Sequence, residues 1–276
     1  MKMRSLVIDA LYLNWALPAG SVPPAPPPLR YQERQGVDEH GTEGRFVFAS
    51  ALLFRNRGVH FRNAPFLRLS YPQLNLRLYV VDGDGVPSVL FRDMMLPRWV
   101  QPAVALAARH PVSTARFDFP EPSLDPGGES WRWVVDQGKR LEVVARRGSG
   151  LPGAGPSLGS WDDTVRFFRE RPRGYVETGG KLHRIETEHP RVTVWPLTAE
   201  VTDGSLLAEL LPLAGGAGWP ALHSAWLCPE IPFVFDLHLV PRLELETALP
   251  TPAASTRSCA RSMRRPARWP TGRAAL

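Results

Sequence analysis

A chain of 276 residues that is 43% hydrophobic and 22% charged can bury a substantial core and has the composition of an ordinary globular protein. Its formal charge of +6 resembles a nucleic-acid signal, but six arginines (Arg257, Arg261, Arg264, Arg265, Arg268 and Arg273) and no acid fall in residues 251–276, which leaves 27 basic and 27 acidic side chains in residues 1–250. A neutral body without a basic stripe interleaved with aromatics excludes nucleic acid as an expected partner, and the lack of about 18 consecutive uncharged apolar residues excludes a transmembrane helix.

Two cysteines, Cys228 and Cys259, cannot build a disulfide framework, so a reducing cytoplasm is the expected location. Met1 to Gly20 has a basic start and an apolar stretch like a signal peptide, but Asp9 and Asn14 interrupt it.

In chain order, residues 5–17 are predicted to form a strand or short helix. Pro23, Pro24, Pro26, Pro27 and Pro28 follow as a surface loop. Residues 45–54 read as a strand, with 59–61 continuing a hairpin. The run Leu74-Asn75-Leu76-Arg77-Leu78-Tyr79-Val80-Val81 is the clearest signal. Leu74, Leu76, Leu78 and Val80 fall on one face and Asn75, Arg77 and Tyr79 on the other, the period of a β-strand. Asp82-Gly83-Asp84-Gly85 turns the chain into a second apolar run, Val86 to Phe91. Taken alone, the polar face of such a strand ordinarily meets water. An amide, a guanidinium and a phenol in a row also suit a polar cavity, where Arg77 pairs with a carboxylate.

The segment 97–109 is Ala-rich and predicted helical, with Pro102 in the first turn and Pro111 as the stop. Strands are predicted at 114–119, 131–136 and 141–146, the last two a hairpin around Gly138. Residues 148–160 read as a mobile loop. Ser160 then caps a helix through Arg169, with Asp163 completing a capping box, and Pro172 and Gly174 end it. Strands are predicted at 182–188, 192–201 and 231–240, with a short helix near 204–211. From Thr247 onward the chain is Ala, Pro, Arg and Ser, so residues 1–246 are expected to form one domain and 247–276 a disordered tail.

Two motifs match on spacing and fail on context. Gly148-Ser149-Gly150-Leu151-Pro152-Gly153 fits G-x-G-x-x-G, but prolines follow where a helix must open. Gly155-Pro156-Ser157-Leu158-Gly159 fits G-x-S-x-G inside a loop, without a strand running into it. Zinc spacings and a phosphate-binding G-K-[ST] are absent from the sequence. Neither a metal nor a cofactor is expected.

Several segments, in order, resemble the YqjF-like family of uncharacterised bacterial proteins, placed in the acetoacetate decarboxylase-like superfamily. They are Tyr71-Pro72-Gln73-Leu74-Asn75-Leu76-Arg77-Leu78-Tyr79-Val80, then Ala108-Arg109-His110-Pro111 with Ala115-Arg116, then Phe167-Phe168-Arg169-Glu170-Arg171, then His189-Pro190 with Trp195-Pro196-Leu197. The resemblance covers about residues 5–242. It departs where the family opens its strand with Pro-Glu (here Pro72-Gln73), where it has an early His-Trp (Asn14-Trp15), and where it has Leu-Pro-Tyr (His110-Pro111-Val112).

The resemblance implies a β-rich α+β fold, a curved antiparallel sheet closing into a barrel- or cone-like cavity with a few peripheral helices. It also implies that Asn75, Arg77 and Tyr79 face that cavity, with Arg109 and His189 as further ligand-binding candidates. Acetoacetate decarboxylase works through a lysine Schiff base, whereas the matching stretch Arg109-His110-Pro111-Val112-Ser113 has none. The only lysines are Lys2, Lys139 and Lys181, and arginine cannot replace a nucleophilic amine. The expected function is binding of a small, anionic organic molecule in a barrel, without Schiff-base decarboxylation. The alternatives are a lyase or hydrolase acting on a small keto or carboxylic acid, with His189 or Tyr79 as acid or base, and a non-catalytic protein-interaction module. The sequence leaves the catalytic residues and the oligomeric state open.

Overall fold

The computed structural model describes residues 2–38, 40–108, 112–148, 156–188, 190, 192–216 and 218–236. Arg109, His189 and the tail 247–276 lie outside the described residues.

The elements run β1 (Lys2–Pro18), β2 (Arg30–Tyr31), β3 (Arg34–Val37), β4 (Glu43–Phe61), β5 (Ala64–Val81), β6 (Pro87–Leu96), α1 (Gln101–Ala108), β7 (Ser113–Thr114), β8 (Arg116–Asp118), β9 (Trp131–Asp136), β10 (Arg140–Arg147), α2 (Trp161–Arg169), β11 (Arg173–Thr178), β12 (Lys181–Glu188), β13 (Trp195–Asp203), α3 (Ser205–Leu210) and β14 (Ser224–Asp236). Strands β1, β4, β5, β6, β11, β12 and β14 are hydrogen-bonded in that order, and β14 pairs back onto β1, so this part of the sheet closes into a ring. The other edge of β14 splits: residues 234–236 pair with β12, while 225–227 pair with β13 and lead to β10, β9 and β8. The pairing is antiparallel except where β6 runs parallel to β11 and to β7.

The alternation in β5 sorts its side chains between two cores. Leu74, Leu76, Leu78 and Val80 pack outward against Trp131, Trp133, Leu141 and Val143 of the β9–β10 arm and Leu206 and Leu207 of α3. Tyr79 packs inward with Phe48, Trp226 and Phe168. Both faces are covered, so the polar face of β5 is interior to the ring rather than wet. Bulges keep the long strands in phase with this interior. In β1 the register slips between Ile8 and Leu11, at Asp9 with φ of 51°, so Tyr12 and then Ser5 and Met3 reach the inside. In β4 it slips at Gly58, which turns through φ of 63°, and Val59 and Phe61 follow Asn56 inward.

Helix α2 plugs one end of the ring. Ser160 and Asp163 form the predicted capping box, and the amphipathic face delivers Val165 and Phe168 to the inner core. Strand β11 was not expected, because Pro172 and Gly174 read as helix stops. Gly174 serves packing instead: a Cβ there would stand 2.5 Å from the Phe91 ring on the paired β6. Gly174→Ala should therefore cost about 1–3 kcal/mol by overpacking, read as a lowered urea midpoint. The last strand also starts earlier than predicted, at Ser224, since Trp226 and Cys228 face the interior.

Candidate functional site

The inward residues of β5 line the ring in layers from the plugged end to the mouth: Tyr79, Arg77, Asn75, Gln73 and Tyr71. At the plugged end the Tyr79 hydroxyl, fully buried, lies 3.0 Å from the Phe168 carbonyl that ends α2 and 3.2 Å from an Arg77 nitrogen. It also makes a short hydrogen bond with Ser50. Ser50 donates to Asn14 at 2.8 Å, and the Asn14 amide donates to the Ser224 carbonyl at 3.2 Å. Tyr79 is thus the hub of a buried network that joins β1, β4, β5, β14 and α2. Its hydroxyl is held by these structural partners on several sides.

His223 belongs to the same end. It is wholly buried, with Nε2 3.1 Å from the Pro156 carbonyl and Nδ1 3.2 Å from the Ser224 hydroxyl. Burial pulls its pKa below the ordinary 6.5, so the fold holds a neutral imidazole. The unfolded chain takes a proton below 6.5 that the folded chain resists. Stability is then complete above pH 6.5 and falls on acidification, by up to about 1.4 kcal/mol per pH unit, until the folded-state pKa is reached. Urea unfolding at pH 7.5 and 5.0 should show this loss, and His223→Gln should reduce it.

One layer in, Arg77 is 8% exposed and lies over the Tyr12 ring at 5.1 Å and the Tyr79 ring at 5.8 Å. Arg171, just past α2, is 7% exposed and lies over Phe167 at 4.6 Å and over the same Tyr79 ring at 5.0 Å. Burial brings its pKa down to about 10, so it stays charged at neutral pH. Neither guanidinium has an ion pair to a carboxylate among the described residues, and Arg77 Nε together with Arg171 Nε and one terminal nitrogen lack any acceptor. Arg169 differs: it donates to the carbonyls of Val192 at 3.1 Å and Pro190 at 2.7 Å. An uncompensated buried charge costs several kcal/mol, each orphaned donor about 1–3, and a cation–π contact returns about 0.5–2. The balance leaves the inner layer short of negative charge.

Toward the mouth lies a cavity of about 500 Å³. Its walls are mostly apolar, with Phe54, Val59, Phe61, Tyr71, Phe91, Met94, Leu96 and Ile185, and the exposed Phe66 and Leu67 form its lip. The polar groups gather where β1, β4 and β5 meet. Ser5 donates to Asn56 at 3.0 Å, Asn56 to Gln73 at 2.9 Å and Gln73 to Asn75 at 2.7 Å. The chain of donation ends at Asn75, whose own amide NH₂ donates to none of the described residues. It lines the cavity beside Asn56 and Gln73, and a donor there suits an acceptor or anionic head.

Of the five sequence candidates, then, Asn75 lines the cavity, Arg77 stands one layer beneath it, and Tyr79 lies deeper, within the buried hydrogen-bond network. Arg109 and His189 fall outside the described residues. Gln73, Asn56, Ser5 and Arg171 were not foreseen. Arg171 sits in the Phe-Phe-Arg-Glu-Arg segment, whose alternation around α2's end gives no sign that it turns inward. Lys139 and Lys181 belong to hairpin ends and do not line the cavity. Cys228 is buried and its thiol is pushed up to about 12, which makes it unreactive. Among the described residues no cluster of His, Cys, Asp and Glu is placed to hold a metal, and no helix is long and apolar enough to cross a membrane.

The fold has solved relatives. The enduracididine biosynthesis enzyme MppR, complexed with the condensation product of pyruvate and imidazole 4-carboxaldehyde, superposes with a TM-score of 0.54 at 12% identity, covering 85% of this chain and 87% of MppR. MppR complexed with pyruvate gives 0.50 at 11% identity, covering 85% and 87%. An acetoacetate decarboxylase-like enzyme from Sphingomonas wittichii RW1 gives 0.45 at 11% identity, covering 84% and 89%. At these identities the likeness is one of fold, shared with MppR. No curated protein sequence matches the chain. The profile of the uncharacterized conserved proteins DUF2071 (COG2071) matches residues 8–226, and the chain belongs to that family.

Proposed function

We propose that the ring binds a small, largely apolar organic molecule with an anionic or strongly accepting head. The body rests against Phe54, Phe91 and Ile185, and the head takes the Asn75 amide, with the positive charge of Arg77 one layer behind. The observation that carries this reading is the division of one cavity into apolar walls and a polar floor whose hydrogen-bond chain ends in a donor unused among the described residues. A few convergent polar groups in an apolar pocket are the usual mark of a ligand site. MppR, the fold relative, is seen with pyruvate and with a pyruvate condensation product, which is in keeping with a small acid here.

Binding without lysine chemistry is the reading the residues favour. The stretch where the superfamily carries its lysine has none. The position where the family's strand has glutamate is Gln73, an amide that cannot exchange a proton and instead relays a hydrogen bond to Asn75. Tyr79 is engaged on several sides. A thermal-shift screen of the full chain against alkyl and aryl carboxylates tests the proposal. A ligand at 100 times its dissociation constant adds about 2.7 kcal/mol of stability, and the best acids should carry an apolar body. Equal indifference to acids and to their neutral analogues would reject it.

A further inference from the structure

Apart from the mouth cavity, the plugged end of the ring holds an arrangement of which the small-molecule reading uses only the charge of Arg77. Arg77 and Arg171 approach the one Tyr79 ring, at 5.8 and 5.0 Å. Both are more than nine-tenths buried, and both carry N–H groups without acceptors. Arg77 and Arg34 are among the charges that lower Arg171, and Glu170, whose carboxylate favours the charged form, is an exposed residue. The aromatic rings and the Tyr79 hydroxyl, which accepts from Arg77 at 3.2 Å, are the partners of these two guanidiniums' charged groups among the described residues. Two buried guanidiniums at one aromatic ring, with donors unused and no carboxylate ion-paired to them among the described residues, match the chemistry that holds an oxyanion by charge-assisted hydrogen bonds.

We infer that Arg171 and Arg77 form a second, inner site for a small oxyanion of the phosphate type, either the free ion or the phosphoryl group of a small ester. Arg171 donates through Nε and its free terminal nitrogen, the forked geometry that fits two oxygens of one anion, and Arg77 donates through Nε. Arg34 marks the approach. It lies on the exposed strand β3 with its guanidinium 6.0 Å from the Phe167 ring, on which Arg171 also rests. The sequence of exposed Arg34, buried Arg171 and deeper Arg77 draws an anion inward. The Arg169 guanidinium is committed to the Val192 and Pro190 carbonyls and takes no part.

The test uses the full chain in a buffer free of phosphate and sulfate. Inorganic phosphate and glycerol phosphate are titrated in turn by calorimetry, against chloride at equal ionic strength. Phosphate should bind as a single site, and Arg171→Met should weaken it at least tenfold. Asn75→Leu, in the mouth cavity, should leave phosphate affinity unchanged while weakening any organic acid, so that failure of one site is distinguishable from failure of the other. Binding of phosphate alone would assign the free ion, and tighter binding of the ester would assign a phosphoryl group; both support the site. Absence of binding by the wild-type protein beyond chloride would overturn it, as would phosphate affinity that survives Arg171→Met.

Discussion

Phe168→Ala should be the most damaging single truncation in the ring, lowering stability by about 3–5 kcal/mol as judged by urea unfolding. The side chain is fully buried, with ring centroids 5.0 Å from Tyr79, 5.6 Å from Phe48 and 5.8 Å from Trp226. These neighbours stand on β5, β4 and β14, strands that curve around the interior and cannot collapse onto a gap in its centre. The loss has a second part. The Phe168 carbonyl takes the Tyr79 hydroxyl at 3.0 Å, so a shift of α2 also loosens the buried network through Ser50 and Asn14. Phe167→Ala should cost less, because Phe167 is only half-buried at the edge of the same cluster.

Two arginines two residues apart should respond with opposite signs. Arg171→Met should raise the stability of the ligand-free protein by about 1–4 kcal/mol, the range seen when buried charges give way to apolar side chains of similar volume. It removes a desolvated charge and two orphaned donors and keeps the apolar stem against Phe167 and Tyr79. Arg169→Met should instead destabilise by about 3 kcal/mol or more. Its two charge-assisted bonds to Val192 and Pro190 are each worth about 1.5–3 kcal/mol, and the carbonyls would be left without them. Thermal midpoints in phosphate-free buffer distinguish the two. A stabilised Arg171→Met would mean that a charge is retained at a cost to the fold, as expected of a residue kept for a ligand.

The alternation from Leu74 to Val80 was enough to place β5 and to separate its two faces, and the Ser160–Asp163 pair was enough to start α2. Each signal lies within a few residues. What the polar face meets was not legible, because its partners come from far along the chain: Ser50 lies 29 residues from Tyr79, and Phe168 lies 89. Water and cavity gave the same pattern until the ring closed between β1 and β14. Strand β11 was missed for a related reason. Gly174 reads locally as a breaker, and only the Phe91 ring across the parallel pair explains it. The amide chain escaped because Ser5 faces inward only beyond the bulge in β1, and because its partners come from far along the chain, with Asn56 lying 51 residues from Ser5 and 17 from Gln73.

The proposed ligand lies with its head at the Asn75 floor and its apolar body toward the Phe66–Leu67 lip. Calorimetric titration of the full chain with a carboxylate series of increasing chain length, and with the matching neutral alcohols, tests it most directly when Asn75→Leu is run alongside. Affinity should rise with each added methylene until the cavity is filled, the acid should outbind the alcohol, and Asn75→Leu should remove the second trend and keep the first. Affinity that is flat with chain length, or a preference for the acid that survives Asn75→Leu, would contradict it.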